Sequence, residues 1–211
     1  MILGFVGPSG SGKTLLTKAL EAFYKAKAIG MVPNGYEDII VEAVTANLNK
    51  PVKPIGDKTV TKEVISHTTR APRAGEINGI HYHFVTEDEF KKLKRYEETI
   101  YNGEHYGLTV NAVEEVLRFS ELAIAVVDQR GISNIRKITP DVRSVFIKTN
   151  LKVMEEHMNA RGDSKESIAK RLNNAIKNNE LEYPEADFII DNTGKLSDTL
   201  SKAIDIVESL R

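Results

Sequence analysis

Eight consecutive residues, Gly7-Pro8-Ser9-Gly10-Ser11-Gly12-Lys13-Thr14, meet every fixed position of G-x-x-x-x-G-K-[ST], the pattern of a polyphosphate-binding loop. Glycines let such a backbone wrap an anion with its N–H groups turned inward. A helix that starts at the end of the loop sets its partially positive N-terminus beneath the same anion. Lys13 is then placed to reach β- and γ-phosphates, and the Thr14 hydroxyl to ligate Mg²⁺. Alone, the motif does not separate an ATPase, a GTPase, a kinase or an inactive binder.

A second concentration of chemistry runs Ser66-His67-Thr68-Thr69-Arg70-Ala71-Pro72-Arg73-Ala74-Gly75-Glu76-Ile77-Asn78-Gly79-Ile80-His81-Tyr82-His83-Phe84-Val85. Arginine offers a planar fork for phosphate oxygens, and Tyr82 can donate its hydroxyl to the same group. Taken one at a time, Arg70 and Arg73 are equally well explained as solvated surface charges, and Tyr82 as a half-buried strand residue.

The elements that must position these residues follow from periodicity. Ile2–Val6 is a compact apolar run ended by Gly7-Pro8, which predicts a buried strand. Leu15, Leu16, Ala19, Leu20 and Phe23 recur at helical spacing behind Thr14. Further strands are expected at Leu122–Val127, Arg143–Ile147 and Asp187–Ile190, and helices at Leu151–Ala160, Ser164–Glu180 and Ser197–Leu210. This alternation predicts a three-layer α/β/α fold around a parallel sheet. Residues 28–62 interrupt it with an amphipathic helix expected over Tyr36–Asn49, between turn signals at Pro33-Asn34-Gly35 and Pro51 to Asp57. Residues 63–109 interrupt it again. Alternation at His81–Val85 suggests antiparallel strands, and Thr86 with Glu89 makes a capping box opening a helix over Glu87–Lys94. A polar, aromatic, arginine-bearing segment inside an α/β frame reads as a substrate-binding subdomain.

The chain has 211 residues, 29 Lys+Arg against 30 Asp+Glu, and no cysteine. Without cysteine there is no disulfide framework, thiolate metal site or cysteine nucleophile. Near-neutral charge removes the long-range attraction to nucleic acid of a strongly basic domain. No apolar run reaches the roughly 20 residues that span a bilayer, and the start lacks a basic signal-peptide region. These features predict a cytoplasmic protein with no nucleic-acid or membrane partner.

The segment from Thr68 to Phe84 resembles the guanylate kinase family, whose pattern T-[ST]-R-x-x-[KR]-x-x-[DE]-x-x-G-x-x-Y-x-[FY] it meets throughout. Asn102-Gly103-Glu104-His105-Tyr106-Gly107 resembles that family's G-x-x-Y-G turn. Asp128-Gln129-Arg130-Gly131 resembles its D-x-Q-G loop with one residue transposed, and Arg161-Gly162 with Ala169-Lys170-Arg171-Leu172 resembles its lid. The resemblance implies transfer of the γ-phosphoryl of ATP to GMP or dGMP with Mg²⁺ as cofactor, in a monomer or homodimer. It places Gly7 to Thr14 and Asn192 on ATP, with Asn192 at the adenine, and Lys13, Arg70, Arg161 and Arg171 at the transferring phosphates. Ser66, Arg70, Arg73 and Tyr82 would grip the acceptor phosphate. Glu76, Glu97 and Asp128 would face the acceptor base or its water, Tyr106 would close that pocket, and Leu108 would stand against the base. By the same resemblance the core spans 1–27, 110–150 and 181–211, the acceptor subdomain 63–109 and the lid 151–180, with 28–62 an insertion.

Four positions depart from the family pattern. Leu108 stands where a Ser or Thr hydroxyl usually meets guanine, and Val126 replaces the first Asp of D-x-D. The lid loop is one residue shorter. The spacing from Lys13 to Arg70 is longer by roughly thirty residues, too long for a bare connector. Leu108 and the insertion keep open a deoxynucleoside monophosphate kinase of altered base preference. A non-catalytic binding module with the same fold is the alternative from another class, and the intact Lys13, Thr14, Arg70 and Arg73 argue against it.

Overall fold

A computed structural model describes residues 1–31, 37–46, 59–73, 75–101 and 103–211. The chain opens with β1 (Ile2–Val6), α1 (Lys13–Ala28), α2 (Glu37–Ala46) and β2 (Thr59–Glu63). A small-sheet region follows: β3 (His67–Thr68), β4 (His83–Phe84), α3 (Glu87–Lys92), β5 (Arg95–Tyr101) and β6 (Glu104–Thr109). Then come α4 (Val110–Phe119), β7 (Ser120–Val126), α5 (Gln129–Ile138) and β8 (Val142–Lys148). The chain continues through α6 (Leu151–Ala160), α7 (Lys165–Lys177), β9 (Phe188–Asp191) and α8 (Leu196–Ser209).

Five parallel strands form the central sheet in the order β2-β7-β1-β8-β9. Side chains alternate across it, as a pleat requires. Leu3, Phe5, Val145 and Ile147 pack with Leu16, Leu20, Leu200 and Val207 of α1 and α8 on one face. Ile2, Val6, Ala125 and Phe146 pack with Val113, Val116, Ile132 and Ile135 of α4 and α5 on the other. The result is the expected three-layer α/β/α core. Among the described residues no helix is long and apolar enough to cross a membrane.

The edge strand β2 lies within the span expected as an insertion, yet it pairs in parallel with β7, Thr61 opposite Leu122. Thr-Val-Thr-Lys-Glu has no apolar run because an edge strand keeps a polar flank. The expected Tyr36–Asn49 helix is seen as α2, with Ile40 buried in the core shared with α1 and α8. It thickens that helical layer. Tyr36, residues 47–49 and both turn signals lie outside the described residues, as do Ala74 and Asn102.

A second, mixed sheet runs β4-β3-β6-β5. Here β5 and β6 are antiparallel, but β4 pairs in parallel with β3, His83 opposite His67, which corrects the antiparallel expectation for that segment. The capping box is present: Thr86 accepts from the Glu89 N–H, and the Glu89 side chain accepts from Thr86. Ser164 caps α7 by accepting from Ser167. Helices α6 and α7 pack together through Met154, Met158, Ile168 and Ala175.

Candidate active site

The phosphate loop links β1 to α1 and is held from below. Gly12 has a φ of 89°, and a Cβ there would lie 2.5 Å from the Asn192 side-chain nitrogen, so glycine is required on both counts. Gly10 has a φ of 86° and rests against the Met154 backbone, while the His157 ring meets the Gly10 carbonyl at 2.8 Å. Asn192 donates to the Ser11 carbonyl at 2.8 Å and accepts from the Thr199 hydroxyl at 2.7 Å. It is almost fully buried, with both ends of its amide taken up by the protein. Asn192 thus braces the loop from beneath.

Lys13 donates to the Gly7 carbonyl at 2.6 Å, the Pro8 carbonyl at 2.8 Å and Ser11 Oγ at 3.3 Å. All three ammonium hydrogens thus have acceptors on the loop itself. Burial pulls the Lys13 ammonium down to about 8, with Glu180 partly opposing the shift and Arg161 adding to it. An arriving polyphosphate would push that value back up by favouring the charged form.

From the lid, Arg171 donates to Ser9 Oγ at 2.7 Å. Arg161 binds Asp163 at 2.5 Å, and Arg171 lies 3.9 Å from the same carboxylate. Partial burial works against Asp163 ionising, but the hydrogen bond and charge of Arg161, then Arg171 and Arg73, hold it below the usual carboxylate range. Asp163 carries no motif signal of its own: Arg161 stands two residues before it, and the fold brings Arg171 to its other side.

On the acceptor side Arg70 grips Glu76 with two parallel hydrogen bonds of 2.9 Å, and its Nε donates to the Tyr106 hydroxyl at 3.2 Å. Glu76 also accepts from the Arg73 N–H at 2.7 Å. Partial burial opposes its ionisation, yet these Arg70 and Arg73 contacts hold it below the ordinary value. The guanidinium stands over the Tyr82 ring at 5.5 Å, and Tyr82 meets Tyr106 edge-on at 5.8 Å. Glu76 thus orients Arg70.

One cavity of about 190 Å³ joins the two halves. Thr14 of the loop and Arg161 of the lid line it together with Ser66, Arg73, Glu76 and Tyr82. Lys18, Glu63 and Val126 line it too. Lys18 follows Thr14 by one helical turn, a spacing that could have flagged it. Glu63 ends β2 and had no such signal. Burial, then the neighbouring Glu21, pushes the Glu63 carboxyl up to about 8, and Lys18 pulls it back in part.

Beyond the cavity, Glu97, Thr99 and Asp128 form a second polar group. The Thr99 hydroxyl lies 3.3 Å from Glu97 Oε2 and 3.1 Å from Asp128 Oδ2. Asp128 caps α5 by accepting from the Gly131 N–H at 2.6 Å. Burial, then the charge of Asp128, pushes Glu97 up to about 7. Leu108 pairs with Glu97 across β5 and β6 but is fully buried among Val113, Val116 and Ile135. Its expected place against the base is corrected: it is a core residue.

Comparison with known proteins agrees with this geometry. The guanylate kinase family model matches residues 53–210. A guanylate kinase of Haemophilus influenzae is 39% identical over 64% of this chain and 69% of its own. One from Helicobacter pylori is 34% identical over 97% of this chain and 82% of its own. The crystal structure of guanylate kinase from Anaplasma phagocytophilum superposes with a TM-score of 0.61 at 21% identity, covering 99% of this chain and 85% of that one, a likeness of fold. With a family model over most of its length and relatives at this identity, the chain belongs to the guanylate kinase family.

Proposed function

We propose that the chain transfers the γ-phosphoryl of ATP to GMP or dGMP, giving ADP and GDP or dGDP. The carrying observation is a cavity lined at once by Thr14, Arg161, Ser66, Arg73 and Tyr82, which sets a donor-phosphate loop against an acceptor-phosphate grip. In the reaction an acceptor phosphate oxygen attacks the γ-phosphorus in line, and the bond to the ADP oxygen breaks. Two anions must meet, so the protein's work is positioning and charge compensation. Lys13 leaves its carbonyl acceptors for the β- and γ-oxygens. Arg161 and Arg171 move from Asp163 to the donor phosphates, while Arg70 and Arg73 hold the acceptor. Closure of α6 and α7 over the site excludes water, which keeps ATP from being hydrolysed.

The donor set fits Mg²⁺. Thr14 presents an exposed hydroxyl into the cavity, and the ion takes oxygen ligands while keeping several waters. When bound it would neutralise charge developing on the phosphate oxygens. Val126 contributes no oxygen there.

Steady-state kinetics on a panel of ribo- and deoxy-monophosphates, following ADP release, tests the proposal. Turnover of GMP and dGMP is expected. A panel in which both are inert while another base reacts would sink it in favour of an altered base preference.

A further inference from the structure

Helix α1 carries two polar residues into the cavity between the donor and acceptor sides, Thr14 and, one turn later, Lys18. Among the described residues, three lysine or arginine side chains line that cavity, each from a different part of the chain. They are Lys18 from α1, Arg73 from the segment between β3 and β4, and Arg161 from the end of α6. Arg73 and Arg161 are exposed, whereas Lys18 is only 8% exposed.

Keeping an ammonium from water is costly unless negative charge faces it. Here that charge comes from Glu21, almost one turn further along α1, and from Glu63 at the end of β2. Burial raises both carboxyl groups, and the Lys18 charge pulls both back. Glu21 is committed to the Glu63 N–H, while the Glu63 side chain lines the cavity beside Lys18. The arginines are arranged in the same way: Arg70 is held by Glu76, and Arg161 and Arg171 lie on Asp163. Lys18 differs in standing on a core helix, anchored by Leu16 and Leu20, so it can meet a phosphate without movement of the lid. Nor would Glu63 be left as a bare anion when Lys18 turns to a phosphate. Burial and Glu21 push its carboxyl up to about 8, so at neutral pH it takes up a proton.

We propose that the Lys18 ammonium is a ligand of the acceptor phosphate, forming the floor of the pocket whose walls include Ser66, Arg73 and Tyr82. This rests on the reading that those three residues grip the acceptor phosphate. Place assigns Lys18 to the acceptor rather than the donor. It stands about 6 Å further along the helix axis than Thr14, and α1 packs along β2, the strand that leads into Ser66.

The test is equilibrium titration of the whole chain with GMP, guanosine and ATP, each alone, in wild type and in Lys18→Met. The variant keeps an apolar stem and removes the charge. Its Kd for GMP is expected to rise about ten- to a hundredfold, the scale of a charge-assisted hydrogen bond. Guanosine, which lacks the phosphate, and ATP should bind as they do to wild type. Lys18→Met/Glu63→Gln removes the cavity carboxylate as well and should show the same selective loss, which keeps the test open if the single variant misfolds. Thermal unfolding of both variants reports their folding. If GMP and guanosine weaken together, Lys18 only supports the fold and the proposal is overturned. A loss confined to ATP would overturn it by placing the ammonium on the donor phosphates, and so would unchanged GMP affinity in either folded variant. A wild-type chain that binds no GMP would bring down the acceptor reading itself, and this proposal with it.

Discussion

The two phosphate-handling regions are built by different means. On the donor side the backbone does the holding: glycines at positive φ, a buried Asn192 beneath Ser11, and Lys13 folded onto two loop carbonyls. On the acceptor side the holding is between side chains, chiefly the forked pair of Arg70 and Glu76 on a small four-stranded sheet. A backbone cradle loses little freedom when an anion arrives. Paired side chains must change partners, so the acceptor side couples binding to rearrangement. The comparison separates a preformed backbone cradle from side-chain grips that must switch partners, among which Lys13 and the lid arginines also count.

Its largest test is Lys13→Ala. Turnover should fall by at least about 10²-fold, the scale of losing a charge partner of the transition state. Near-normal kcat in that variant would break the comparison on its stronger side. Next, Leu108→Thr should destabilise the fold by about 2–4 kcal/mol, by cavity formation and burial of a hydroxyl. Denaturant unfolding measures the loss, and no gain in GMP turnover is expected, because residue 108 is core. Asn192→Ala should cost about 1–3 kcal/mol, since buried partners are left unsatisfied. It should raise the KM for ATP more than that for GMP; equal changes would show that the loop does not depend on its brace. Glu76→Gln should raise the acceptor KM roughly tenfold, the scale of one charge-assisted hydrogen bond, and leave the ATP KM in place.

The smallest effect is on pH dependence. Glu97 is raised from an ordinary 4.5 to about 7 in the folded chain. The folded state thus holds a proton that the unfolded state has released. Stability from this group is fully present below about pH 4.5 and is lost as pH rises through about 7. Unfolding measured across that window should show a decline that Glu97→Gln flattens; an unchanged slope would place the proton elsewhere. The raised Glu63 adds a second decline that extends toward pH 8.

How far the sequence reveals all this depends on whether the information is local. The loop from Gly7 to Thr14 is contiguous, so its motif, strand and helix were legible together. So were the capping residues Thr86 and Ser164, whose partners sit three positions on. Strand β2 was not, because its burial comes from a neighbour rather than from its own composition. Leu108 and Asn192 show another limit: a motif position specifies a place in the chain but not the direction of a side chain. For Leu108 the core of α4 and α5 decided that direction, and for Asn192 the underside of the loop did. Asp163 and Thr99 each depend on a charge brought from another element, Arg171 for the one and Asp128 for the other.

The Asn192 brace also orders events in time. It lies 181 residues from the carbonyl it supports. During synthesis the glycine-rich loop is made well before the strand and helix that carry its support. A nascent chain ending short of β9 would carry the complete nucleotide motif without the buried amide beneath it. The brace should therefore form only when β9 and α8 dock against the core, as one late step rather than gradually.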